Sequence, residues 1–139
     1  MITLNKSDYE KILSHARTNL PEEACGLIAG TIEEDGETRH IEQVYLLENT
    51  DHSNEHFNIS PKDQLDAIKD MRSKNLKPLG NWHSHPESPS RPSEEDKRLF
   101  FDSTARYLIL SLQDNENPVL NAFIVKNHTE VSKDELVII

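Results

Sequence analysis

Tyr9, Ile12, Leu13 and Ala16 recur at i, i+3, i+4 and i+7, the spacing that gathers apolar side chains on one face of an α-helix. Ser7 and Glu10 have the form of a capping box at its start and Pro21 ends it, which predicts a helix from Ser7 to about Asn19. Cys25-Gly-Leu-Ile-Ala-Gly30 is a short apolar run bounded by glycine, the pattern of a buried strand. A polar turn at Glu33 to Gly36 leads to a second strand, Ile41 to Leu47, and a short extended piece is expected around Phe57 and Ile59. Ser60-Pro61 reads as an N-cap followed by proline at the first helical position, with Leu65, Ile68 and Met71 as the apolar stripe behind it. Leu79 to His83 predicts a strand, Ser93 opens a helix to about Phe101, and Arg106 to Leu112 with Val119 to Val125 predict two central strands. Leu136 to Ile139 adds a last one. Strands interleaved with three helices, without repeats or linkers, predict an α/β fold: one domain over residues 1–139, a mixed β-sheet flanked by helices.

Composition narrows the function. A net charge of −10 disfavours nucleic acid and anionic membranes, both of which need clustered Lys and Arg, and suits a basic partner instead. The lone Cys25 forbids an intrachain disulfide, and the first residues lack the apolar run of a signal peptide. No stretch approaches the ~20 apolar residues of a membrane span, so a cytoplasmic protein is expected. Cys25 itself, among apolar neighbours, reads as a packing thiol rather than a nucleophile.

The chemistry concentrates between residues 83 and 96. In a strand, side chains two apart share a face, so His83 and His85 project together and Ser84 points away. The loop after them carries Pro86, Pro89 and Pro92, which restrict its backbone, and delivers Asp96 in the first turn of the next helix. Two imidazoles and a carboxylate are a donor set for Zn²⁺, one ion per chain, with a fourth position left for water as in catalytic rather than structural sites. Ser93 is placed to donate to a developing oxyanion. A plainer interpretation also stands: Ser93-Glu-Glu-Asp96 is an ordinary helix cap with an acidic residue three positions on, and His-x-His is common without metal. The two compete for the same atoms, because an Asp96 oxygen on a metal is withdrawn from capping, and the Ser93 hydroxyl faces the same choice. His15, His40, His52, His56 and His128 lack ligand spacing; His56, beside the irregular segment, is a candidate for lining a substrate groove.

His83-Ser-His-Pro, six residues, Ser93, two residues, Asp96 resembles the motif of the JAMM (MPN-plus) metalloproteases, zinc peptidases and isopeptidases related to the deubiquitinating subunits of the proteasome lid and signalosome. Pro21-Glu-Glu-Ala-Cys25-Gly-Leu-Ile-Ala-Gly30 resembles the segment that carries their acidic catalytic residue, two before the Cys-Gly pair. Asn49, Phe57-Asn-Ile-Ser-Pro61 and Tyr107-Leu-Ile-Leu-Ser are similar to the short bacterial members. The resemblance implies a cytidine-deaminase-like fold, zinc on His83, His85 and Asp96, Glu23 as general base and proton donor to the leaving amine, and Ser93 at the oxyanion. It implies as substrate the C-terminal tail of a ubiquitin-like or sulfur-carrier β-grasp protein, bound as an added strand. Trp82 stands where many members have another aromatic or apolar residue. The chain lacks room for the long insertions of linkage-selective eukaryotic members.

Two rivals belong to other classes. A non-catalytic interaction scaffold of the same fold would have lost metal ligands, yet all three are present. A small-molecule hydrolase would need a barrel of about 250 residues or the Pro-Cys-x-x-Cys pair of zinc deaminases, and neither occurs here.

Overall fold

The computed structural model describes residues 1–139. Its elements are β1 (Ile2–Leu4), α1 (Lys6–Asn19), β2 (Cys25–Ile32), β3 (Arg39–Leu47), α2 (Pro61–Ser73), β4 (Lys77–His85), α3 (Glu94–Leu99), β5 (Arg106–Ser111), β6 (Val119–Lys126), β7 (Glu130–Asp134) and β8 (Leu136–Ile138). The strands form one mixed sheet in the order β7-β6-β5-β4-β2-β3-β1-β8. β4 pairs parallel with β5 and antiparallel with β2, so the C-terminal end of β4 lies beside the entry to β2.

Alternation along the strands assigns each side chain to one of two layers. Ile28, Trp82, Leu108 and Leu110 face the core that α1 closes with Ile12 and Ala16. The opposite face takes Ala29 against Ala67 and Met71 of α2, and Ile109 and Tyr107 against Phe100 just past α3. His83 pairs in register with Cys25 and Ile109 and so falls on this second face, with His85 two residues on. No helix is long and apolar enough to cross a membrane.

Most predicted elements stand where the pattern put them, with some corrections. α1 is capped by Asn5 rather than Ser7: the Asn5 side chain accepts the Asp8 amide at 2.8 Å, and Ser7 merely donates to that same oxygen. Asn and Ser cap equally well; the helix starts at Lys6 because β1 delivers the chain directly to Asn5. On α2, Ser60 and Pro61 cap as predicted, but Leu65 is exposed and Ala67 takes the buried position. The buried stripe is therefore rotated, since Ala67 and Met71 lie four apart and Leu65 does not share their face. The helix expected to run to about Phe101 ends at Leu99, leaving Phe101 exposed. β1 and β7 went unpredicted. Of the two strands expected to be central, β5 is buried throughout, whereas β6 lies one strand from the sheet edge.

Candidate metal centre

The last four residues of β4, Trp82 to His85, are all buried. Alternation sends the Trp82 indole into the α1 core, where its N–H donates to the Tyr45 carbonyl at 3.0 Å. It sends His83 and His85 the other way. There the loop after β4 folds back, and Ser90, Ser111 and Asn121 pin it. The Ser90 hydroxyl donates to the Ile109 carbonyl, the Ser111 hydroxyl to the Ser88 carbonyl, and the Asn121 amide to the Ser90 carbonyl. This brings α3 and Asp96 over the two rings.

Three donor atoms converge. His83 Nε2 lies 3.0 Å from His85 Nε2 and 3.2 Å from Asp96 Oδ2, while His85 Nε2 lies 3.1 Å from that oxygen. Ligands about 2.0–2.2 Å from a tetrahedral zinc are roughly 3.3 Å apart, close to the edges of this triangle. The proton inventory agrees. His85 Nδ1 is 2.9 Å from the Pro89 carbonyl, which can only accept, so Nδ1 carries the proton and Nε2 presents a lone pair. An imidazole lone pair and a carboxylate oxygen facing a second imidazole nitrogen repel unless a cation or proton lies among them. The donor set fits a divalent metal ion, and no other group of His, Cys, Asp or Glu in the protein converges in this way.

The Asp96 carboxylate resolves the conflict posed by the sequence. Its Oδ2 accepts the Ser93 amide at 2.9 Å as half of a capping box and also faces both rings. Capping and ligation were expected to exclude one another on one oxygen, but a carboxylate oxygen has two lone-pair directions, one for each task. The Ser93 hydroxyl accepts the Asp96 amide at 3.0 Å and still has its own proton to donate. Burial pushes the Asp96 carboxyl up, but the His83 and His85 imidazoles facing it outweigh burial and hold it well below the usual range. Burial pushes His83 down toward the neutral form that can ligate.

Glu23 arrives from a different part of the chain. Cys25 sits opposite His83, and the ladder continues past the end of β2: the Ala24 amide donates to the Ser84 hydroxyl at 2.8 Å and the Ser84 amide to the Ala24 carbonyl at 2.9 Å. Glu23 is thereby set beside the His85 end of β4. It is 3% exposed, its Oε1 has no hydrogen-bond partner, and burial, aided by the charges of Asp96, Glu95 and Glu55, pushes its pKa up to about 9. A buried carboxyl with an unsatisfied oxygen beside a metal-type donor set has the character of a proton-transfer group.

Three contributors carried no assigned role in the sequence: Ser84, which ties the Glu23 segment to β4; Phe57, whose ring stacks on His83 with centroids 4.7 Å apart; and Asn49, buried beneath the 50–58 loop. Ser84 alone was traceable, since a residue between two metal-facing histidines must point at something on the other side. The remaining histidines stay outside the cluster; the His56 ring pairs with Asp51 at 2.9 Å and His40 with Glu33 at 2.6 Å. Cys25 is fully buried, and burial raises its thiol to about 12, as befits a packing residue. A cavity of about 260 Å³ between α2 and the sheet, lined by Leu27, Arg39, Ile68 and Met71, includes none of these residues.

Comparison with known proteins gives the same picture. A CysO-cysteine peptidase of Mycobacterium tuberculosis is 29% identical over 112 residues, 81% of this chain and 74% of its own length. A desampylase of Pyrococcus furiosus is 25% identical over 116 residues, 84% of this chain and 76% of its own. The solution structure of a protein from Desulfitobacterium hafniense superposes with a TM-score of 0.90 at 48% identity, covering 100% of this chain and 93% of that one. The family model for prokaryotic homologues of the JAB domain matches residues 5–125, which take in β2 to β6, all three helices and every residue of the centre, and the chain belongs to that family.

Proposed function

We propose that this protein is a zinc-dependent peptidase or isopeptidase, residues 1–139 acting as one JAMM/MPN unit, that cleaves at the C-terminal tail of a ubiquitin-like or sulfur-carrier β-grasp protein. The observation that carries this reading is the meeting of His83 Nε2, His85 Nε2 and Asp96 Oδ2 within 3.2 Å of one another beside the buried Glu23 carboxyl. The substrate class is supported by relatives named for a CysO-cysteine peptidase activity and for desampylase activity. The free, buried Cys25 suits a reducing compartment such as the cytoplasm.

His83, His85 and Asp96 would hold the ion. A zinc ion so held supplies Lewis acidity and a water acidic enough to attack a carbonyl near neutral pH. The protein's own groups do the rest. Glu23, buried beside the three donors, takes the proton of the attacking water and returns it to the departing amine, one carboxyl serving as base and then as acid. The Ser93 hydroxyl donates to the oxygen that gains charge. The Pro89 carbonyl keeps His85 in the ligating tautomer throughout.

The test incubates zinc-loaded protein with β-grasp carriers bearing short C-terminal extensions and follows the products by mass spectrometry. Release of the extension with the carrier ending at glycine, abolished by a chelator and restored by zinc, is the expected result. Carriers left intact across the panel by fully loaded protein would overturn the proposal.

A further inference from the structure

The Glu23 carboxyl has to be aimed, yet its Oε1 is buried with no partner to aim it. Its direction is therefore set from its main chain, and two side chains grip that main chain. Ser84 holds the Ala24 amide from the β4 side. Asn49 holds the Glu23 carbonyl from the other, its Nδ2 donating at 3.0 Å, while the Glu23 amide donates to the Ser53 carbonyl at 2.7 Å.

Asn49 does more than grip Glu23. The same Nδ2 donates to the His56 carbonyl at 3.0 Å, and Oδ1 accepts the Asp51 amide at 3.1 Å and the Asn58 amide at 3.2 Å. Both donors and both acceptor positions of this amide are thus used, at 4% exposure. The His56 carbonyl and the Asn58 amide belong to the two peptide groups that flank Phe57. Phe57 in turn stacks on the His83 ring at 4.7 Å with an interplanar angle of 26°. His83 needs that support, because its Nδ1 is buried without a hydrogen bond, unlike the Nδ1 of His85.

Building on the peptidase reading, we propose that Asn49 is a positioning residue for the reaction. One amide locks the Glu23 main chain and the Phe57 cover of His83 into a single unit, so that the proton-transfer group and the least-tethered ligand keep a fixed relative aim. A residue that only stabilised the 50–58 loop would affect how much protein is folded, not how well the folded protein turns over.

Asn49→Ala and Asn49→Asp separate these roles. The Asp variant keeps the shape and the two accepted bonds and deletes the donors to Glu23 and His56, which guards against a failure of the Ala variant to fold. Each is assayed for kcat and KM on a C-terminally extended carrier below its unfolding range and for bound zinc. In the metal-free protein, the NMR shifts of the His83 ring protons are read, with Phe57→Leu marking the unstacked position. A 10- to 100-fold loss of kcat is expected, with KM within about two-fold, zinc retained at the wild-type level, and the His83 signals moved toward those of Phe57→Leu. A kcat loss that only tracks the unfolded fraction and recovers on cooling, or His83 signals unmoved from wild type, overturns the proposal. Should the wild-type protein cleave no carrier, the peptidase reading fails, and the His83 signals still decide whether Asn49 fixes the ring.

Discussion

Asp96 shows how much one residue does here. Its Oδ2 caps α3 through the Ser93 amide and completes the donor triangle with His83 and His85. Asp96→Asn therefore keeps a capping side chain but weakens the metal: elemental analysis should find a substantial drop in bound zinc with little change in thermal stability of the metal-free protein. Glu23→Gln keeps the volume and removes the proposed proton-transfer group; it should retain zinc and lose at least about 10²-fold in turnover, the scale of general acid–base catalysis. Wild-type turnover in that variant would move the role elsewhere. Ser93→Ala should lower stability by about 0.5–2 kcal/mol through the lost cap and turnover by roughly 10²-fold through the lost donor. A stability loss without a turnover loss, measured on the same preparation, would make Ser93 a cap and nothing more.

At the scale of elements, the site is a product of the β2–β4 ladder. Gly26 lies within that ladder, and a Cβ there would collide with the Tyr45 carbonyl and the Trp82 indole nitrogen. Gly26→Ala should cost about 1–3 kcal/mol, as overpacking of a tight interior does, readable as a lowered denaturant midpoint; an unchanged midpoint would show that β3 and Trp82 yield easily. The same ladder explains which parts of the centre were legible beforehand. His83, His85 and Asp96 sit in one strand-loop-helix unit, where alternation and capping rules act over a few residues, so their convergence could be argued locally. Glu23 meets them only through pairing across some sixty residues, which no local pattern encodes, and it was reached by family resemblance alone. Asn49 and Phe57 act from an irregular loop without periodicity. β1 has three residues, too few to show a period, and β7 is exposed along most of its length, so neither announced itself. Leu65 was misplaced because an apolar stripe drawn from Leu, Ile and Met overlooked Ala67, whose small side chain is what lets α2 approach the sheet.

For the whole molecule, the two ends of the fold are joined by charge. Arg106 at the start of β5 is 3% exposed and donates to Asp134 of β7 at 2.8 Å, and Asp134 also meets the Met1 ammonium at 2.8 Å. Burial pushes the Asp134 carboxyl up, but the ammonium and the Arg106 guanidinium outweigh it and hold it below the usual range. A carboxyl more acidic folded than unfolded stabilises the protein above the unfolded value of about 4 and loses that contribution as pH falls through the folded value. Asp134→Asn should thus lower stability at pH 7 by about 1–3 kcal/mol and flatten the acid limb of a stability–pH curve from chemical denaturation. A parallel curve, merely displaced, would show that the pair does not titrate with folding. The −10 net charge adds a second expectation: association with a basic carrier surface should weaken with salt, whereas an acidic one should bind poorly at any salt.

The claim beneath all of this is that three side chains share one ion. Crystals grown with zinc, measured on both sides of the zinc absorption edge, test it without reference to any substrate. One strong anomalous peak per chain is expected, about 2.0–2.2 Å from His83 Nε2, His85 Nε2 and Asp96 Oδ2. Anomalous density elsewhere on the protein, with none among those three atoms, would contradict it.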